Sequence, residues 1–190
     1  MKFATYSANR EWYLHKCKYL QYNDKWAYDY AYNDILPYWD ENNYWGKFPI
    51  KLGFKITPTI PLPGTDIVGG IAYIFENEAL HIKRLFTCNK FRNKGVAKRL
   101  LEEAWYVGYH KNCKCIRMWC DKDAIPFYEK LGYTFLGFNK KDYGYVYLPI
   151  LTENMSETLN KTKDLNPYKV LKDNNIELPE EANLFILNKF

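Results

Sequence analysis

The stretch Leu85-Phe86-Thr87-Cys88-Asn89-Lys90-Phe91-Arg92-Asn93-Lys94-Gly95-Val96-Ala97-Lys98 constrains the fold more than any other part of the chain. It leads from an apolar, strand-like segment, Ala79 to Cys88, into a basic loop. A helix is expected to follow over Gly95 to Lys111. Gly95 allows unusual backbone angles and a close approach to a ligand, and Ala97 is small for the same reason. The free N–H groups at the start of a helix, with the positive end of its dipole, favour a phosphate. Arg92, Lys94 and Lys98 add charge, and the window Lys83 to Arg99 holds seven basic residues and no acidic one. A solvated basic helix start has the same local pattern, so the surrounding sequence has to discriminate.

That surrounding sequence alternates strands with helices. Strands are expected over Lys2 to Ser7, Phe48 to Thr57, Ile67 to Glu76, Ala79 to Cys88 and Cys115 to Cys120. A closing hairpin follows at Tyr133 to Phe138 and Tyr143 to Pro149. Helical patterns cover Asn9 to Gln21, Asn23 to Asp40, Gly95 to Lys111 and Ala124 to Leu131, the last ended by Gly132. This order predicts an α/β (α+β) fold, a mixed central sheet with at least one parallel crossover. Residues 1–150 read as one domain. Residues 151–190 read as a polar C-terminal extension of unassigned role, with a helix near Pro167 to Asn174 and an apolar end at Leu184 to Leu187.

Composition narrows the class without naming a function. The 190 residues are 47% hydrophobic and 26% charged, enough for a buried core and unlike a disordered chain. Aromatic residues reach 18%, which suggests an aromatic core or an aromatic-lined pocket. No run is long and apolar enough to span a bilayer, and no basic flank with an apolar stretch opens the chain. No membrane association and a cytoplasmic location are therefore expected. The five cysteines are irregularly spaced, and Cys113, Cys115 and Cys120 lack a matching second ligand pair. Buried reduced thiols are expected, and no metal.

A second motif completes the pattern about thirty residues on: Ala124-Ile125-Pro126-Phe127-Tyr128-Glu129-Lys130-Leu131-Gly132-Tyr133. Arg92 to Ala97 resembles the (Q/R)-x-x-G-x-(G/A) signature of the GNAT superfamily of N-acetyltransferases. Ala124 to Tyr133 resembles that family's A-x-x-x-Y-E-K-x-G-F segment. The resemblance covers roughly residues 65–140 and implies a GNAT-like domain with acetyl-CoA as co-substrate. Carried over, it implies that the amides of Asn93, Lys94, Gly95, Val96 and Ala97 hold the pyrophosphate, with Arg92 and Lys98 beside them. Leu85, Phe86 and Thr87 would pair with the pantetheine arm.

Amide formation needs a deprotonated amine to attack and a proton for the departing thiolate. Tyr128 occupies the position from which many members protonate the sulfur. The strand His81-Ile82-Lys83-Arg84-Leu85 carries no acid, and the resemblance implies His81 as the candidate base, since relatives carry a glutamate or a histidine at this spacing, eleven positions before Arg92. Glu78 and Asp66 are alternatives. The acid- and aromatic-rich window Asp24 to Trp45 suits a cationic amine acceptor. The expected activity is transfer of an acetyl group to a primary amine by direct attack, in a monomer or homodimer, with nucleic-acid binding disfavoured. The rival reading is a non-catalytic acyl-CoA sensor or interaction module on the same fold.

Overall fold

In the computed structural model the described residues are 3–8, 24–29, 50–55 and 67–176. In chain order their elements are β1 (Phe3–Ala8), α1 (Lys25–Asp29), β2 (Ile50–Lys55), β3 (Ile67–Glu76), β4 (Ala79–Thr87) and α2 (Val96–His110). They continue with β5 (Cys115–Cys120), α3 (Ile125–Lys130), β6 (Thr134–Phe138), β7 (Gly144–Pro149), α4 (Met155–Thr162) and α5 (Pro167–Asp173). The expected mixed α/β fold is present. The helix expected over Asn9 to Gln21, residues 30–40 of the one expected over Asn23 to Asp40, Asp66 and the apolar end 184–187 lie outside the described residues.

The chain divides into two compact units: Met1–Ile74 with Lys83–Glu103, and Phe75–Ile82 with Ala104–Phe190. In the first, the strand order is β1-β2-β3-β4. Strand β1 runs antiparallel to β2, pairing Phe3 with Lys55 and Ala8 with Ile50. Strand β2 runs antiparallel to β3, with a register shift at Gly53/Phe54. The first half of α2 presents Val96, Leu100 and Leu101 as buried residues. Its exposed side carries Arg99–Glu103 at 2.7 Å and Lys98–Glu102 at 3.9 Å, both at i,i+4 spacing.

In the second unit the order is β4-β5-β7-β6. The β3–β4 hairpin closes there through Asn77 and Glu78, both left-handed at φ 48° and 55°, as a two-residue hairpin turn requires. The β4–β5 ladder is parallel and pairs Ala79–Ile82 with Cys115–Met118. Parallel neighbours need a crossover, which α2 supplies. Strand β7 pairs antiparallel with β5 and with β6.

Residues after Ile150 build part of this unit's core. Leu171 and Ile176 are buried in one cluster with Ala79, Cys115, Leu136, Tyr145 and Tyr147. Tyr147 Oη donates to the carbonyl of Pro167 at 2.8 Å, and Trp105 Nε1 donates to that of Thr152 at 3.1 Å. Helix α5 agrees with the expected helix near Pro167. Helix α4 was not expected from sequence, although Asn154-Met155-Ser156-Glu157 is an N-cap signature. The Asn154 side chain accepts from the amides of Ser156 and Glu157.

Candidate active site

The phosphate-loop candidate is assembled wholly within the first unit. The amide of Cys88, just past the end of β4, donates to the carbonyl of Val68 on β3 at 2.9 Å. A single 3-10 turn follows at Asn89–Phe91. Asn93 and Gly95 then take φ of 60° and 80°, and α2 starts with the amide of Arg99 donating to Gly95 at 3.0 Å. A Cβ built on Gly95 meets no atom of the described residues within 4 Å. The glycine is therefore required by its backbone angle. The amides of Val96, Ala97 and Lys98 stand in the first turn of α2, where no intrahelical acceptor exists.

The long cations around this turn have local partners. Lys94 Nζ donates to the carbonyl of Lys90 at 2.7 Å, and the Arg92 guanidinium lies 4.5 Å from the centre of the Trp26 ring. Lys98 faces Glu102. An anion at this place would therefore be held chiefly by backbone N–H groups and the helix dipole, with the side chains as a second source of charge.

Leu85, Phe86 and Thr87 end β4, beyond the last residue that pairs with β5. Phe86 is buried, and Leu85 and Thr87 are half-buried. Gly69, which sequence reasoning did not single out, fixes the packing here. A Cβ there would stand 2.5 Å from the carbonyl oxygen of Phe86 and 2.9 Å from Val96 Cγ1. The signal was the Gly69-Gly70 pair inside an otherwise apolar strand.

Tyr128 and His81 belong to the second unit. Tyr128 lies on α3, only 6% exposed, with its ring 5.0 Å from Phe127 and 5.6 Å from Tyr133. The amides of Leu131 and Tyr133 donate to its carbonyl, and Gly132 turns the chain at φ 89°. The Tyr133 hydroxyl is buried with no hydrogen-bond partner among the described residues, and burial pushes its pKa well above the usual tyrosine range.

His81 is 8% exposed, with Nδ1 3.4 Å from Glu76 Oε2. Arg117, its direct neighbour in the parallel ladder, places Nη2 3.5 Å from the same carboxylate oxygen. Sequence reasoning missed Glu76 and Arg117 because strand registry, not chain proximity, joins Arg117 to His81. Burial raises the pKa of Tyr145, also in this cluster, and Arg117 opposes that rise. Glu78, the alternative base, holds Lys114 at 2.6 Å on the hairpin turn. Of the acceptor window, residues 24–29 are described. Asp24 binds Asn89, and Trp26 lies against Arg92, both on the loop. Trp39, Asp40, Glu41, Tyr44 and Trp45 lie outside the described residues.

Residues 64–135 match a protein family described as an acetyltransferase (GNAT) domain. Among solved structures, an acetyltransferase of the GNAT family from Staphylococcus aureus Mu50 is 18% identical. The match covers 79% of this chain and 100% of that one, with a TM-score of 0.58. A Bacillus subtilis acetyltransferase in complex with CoA is 14% identical over 79% and 100%, with a TM-score of 0.55. The PaiA N-acetyltransferase from Thermoplasma acidophilum in complex with coenzyme A is 13% identical over 77% and 98%, with a TM-score of 0.56. At these identities the likeness to solved structures is one of fold.

Proposed function

Because residues 64–135 match an acetyltransferase (GNAT) domain, we propose that the chain transfers an acetyl group from acetyl-CoA to a primary amine. The observation that carries this reading is the turn before α2. Left-handed Asn93 and Gly95, with the first-turn amides of α2 that have no intrahelical acceptor, would make a backbone cradle for a pyrophosphate. Asn93, Lys94, Gly95, Val96 and Ala97 would hold it, with Arg92 and Lys98 adding charge, and Leu85 to Thr87 offering backbone to the pantetheine arm. Acetyl-CoA supplies the activated acyl group.

The protein's own groups move the protons. His81 takes a proton from the amine as the C–N bond forms. With Nδ1–H donating to Glu76, its Nε2 carries the lone pair for this step. Tyr128 gives its hydroxyl proton to the sulfur as the C–S bond breaks. Both groups recover their original protonation through solvent. The acid-rich sequence from Asp24 to Glu41 supports a cationic acceptor.

Thiol release from acetyl-CoA, followed with a panel of polyamines, lysine peptides and anionic amines, tests the reading. Amine-dependent release with polyamines or lysine peptides preferred is expected, and release favouring anionic amines would overturn the cationic acceptor. Tight acetyl-CoA binding with no release from any amine would point to the sensor reading. The shared hold of Glu76 on His81 and Arg117 is the one observation that favours it.

A further inference from the structure

The 3-10 turn that leads into the phosphate loop has no cap of its own. Cys88, at its N-cap position, makes no side-chain capping bond. The amide of Asn89 is therefore an orphan donor at the start of the turn. Asp24, 65 positions earlier in the chain, accepts that amide on Oδ2 at 2.5 Å and the Asn89 Nδ2 on Oδ1 at 3.1 Å. Both carboxylate oxygens are engaged at one residue, three positions before Arg92. The charge of Asp24 also helps raise the thiol of Cys88, after burial, up to about 12. Two residues further along α1, Trp26 places its ring under the Arg92 guanidinium, 4.5 Å from the centroid.

A turn with two left-handed residues and one long 3-10 bond, Arg92 to Asn89 at 3.3 Å, is costly to hold in a single shape. Its amides bind an anion well only if they already converge before the ligand arrives. We propose that Asp24 and Trp26 are positioning residues that preorganise the anion-binding turn. Asp24 caps the turn from a distant segment, and Trp26 holds Arg92 beside it. The proposal rests on the acetyl-CoA reading above. It assigns to the start of the acid-rich window a role on the cofactor side of the site, in addition to any part in choosing the acceptor.

The test compares the full-length wild type with Asp24→Ala, Asp24→Asn, Trp26→Ala and Trp26→Phe. CoA affinity is measured by calorimetry, and the KM for acetyl-CoA is separated from kcat. Loss of a cap is expected to weaken CoA binding about five- to tenfold in Asp24→Ala. The KM for acetyl-CoA should rise in step with the loss of CoA affinity. Asp24→Asn keeps an acceptor oxygen and should lie between wild type and Asp24→Ala. Trp26→Phe keeps a ring face and should restore most of what Trp26→Ala loses. If an alanine variant does not fold, its conservative partner carries the test. Wild-type affinity in the variants, or a fall in kcat with unchanged CoA affinity, would overturn the proposal and leave the acetyl-CoA reading standing. A wild type that does not bind CoA would overturn both.

Discussion

Gly69 on β3 and Phe86 on β4 approach so closely that a Cβ on the glycine would stand 2.5 Å from the Phe86 carbonyl oxygen. The obstacle is backbone, so it cannot rotate away. An unstrained glycine-to-alanine change inside a strand would gain about 0.5–1 kcal/mol, whereas overpacking costs about 1–3 kcal/mol. The clash should win. Gly69→Ala is expected to lower the urea midpoint and also to weaken CoA binding, because Val96 at the loop end lies 2.9 Å from the same Cβ. A variant more stable than wild type would refute the close approach.

Tyr128 is buried on α3 with its ring packed edge-on against Phe127 and Tyr133. Replacing its hydroxyl by hydrogen leaves that packing in place, so Tyr128→Phe should fold with near-native stability. As the proton donor to sulfur, its loss should lower kcat about a hundredfold, with the KM for acetyl-CoA little changed. Steady-state kinetics across the pH range decide the matter, since undiminished turnover at every pH removes Tyr128 from the chemistry.

His81→Gln should fold and bind CoA as the wild type does, because glutamine can still donate toward Glu76. Its kcat should fall about tenfold to a hundredfold, and the acid limb of the pH–rate profile should flatten as the base disappears. An unaltered acid limb would assign the base elsewhere.

Much of the sheet was legible from period-two patterns and from turn residues. Strands β3, β5, β6 and β7 fall where alternation and flanking breakers put them. The loop was legible for a chemical reason: Gly95 needs a positive φ, and few residue types tolerate one. What stayed hidden was carried by tertiary proximity. No local pattern joins Asp24 to Asn89, which a contact between segments 65 residues apart creates, or Arg117 to Glu76, which strand order and registry bring together. Residues 151–190 looked like a polar extension because their composition is polar. Leu171 and Ile176 are nonetheless buried in the cluster that holds Tyr145 and Tyr147.

The thiols give a pH-dependent prediction. The thiols of Cys88, Cys113, Cys115 and Cys120 are buried. Burial pushes Cys88, Cys115 and Cys120 up to about 12 and Cys113 up to about 11, from an ordinary value of 9.0. The native state therefore keeps protons that the unfolded chain surrenders above pH 9. This contribution to stability is full below that pH and disappears as the pH climbs through about 11 to 12. Urea midpoints should fall between pH 8 and pH 10. At pH 8 these four thiols should react with a disulfide reagent about a hundredfold or more slower than a free thiol. Rapid labelling of all four in the native protein would contradict their burial.

Tyr133 stands where the resembling motif carries phenylalanine, and its hydroxyl adds a buried polar group with no partner among the described residues. A buried hydroxyl left without a hydrogen bond costs about 1–3 kcal/mol, while the ring itself contributes through packing. Tyr133→Phe keeps the ring and its 5.6 Å contact with Tyr128, and removes only the group that burial penalises. The variant should therefore be more stable than wild type by about 1 kcal/mol, against the usual direction of core substitutions. Its kcat should not change, because Tyr128 keeps its hydroxyl and its neighbours. Urea unfolding measures the first expectation and thiol release the second. A destabilised Tyr133→Phe would mean that the hydroxyl spends its proton on a partner, and a fall in kcat at native stability would bring Tyr133 into the acid's hydrogen-bonding chain.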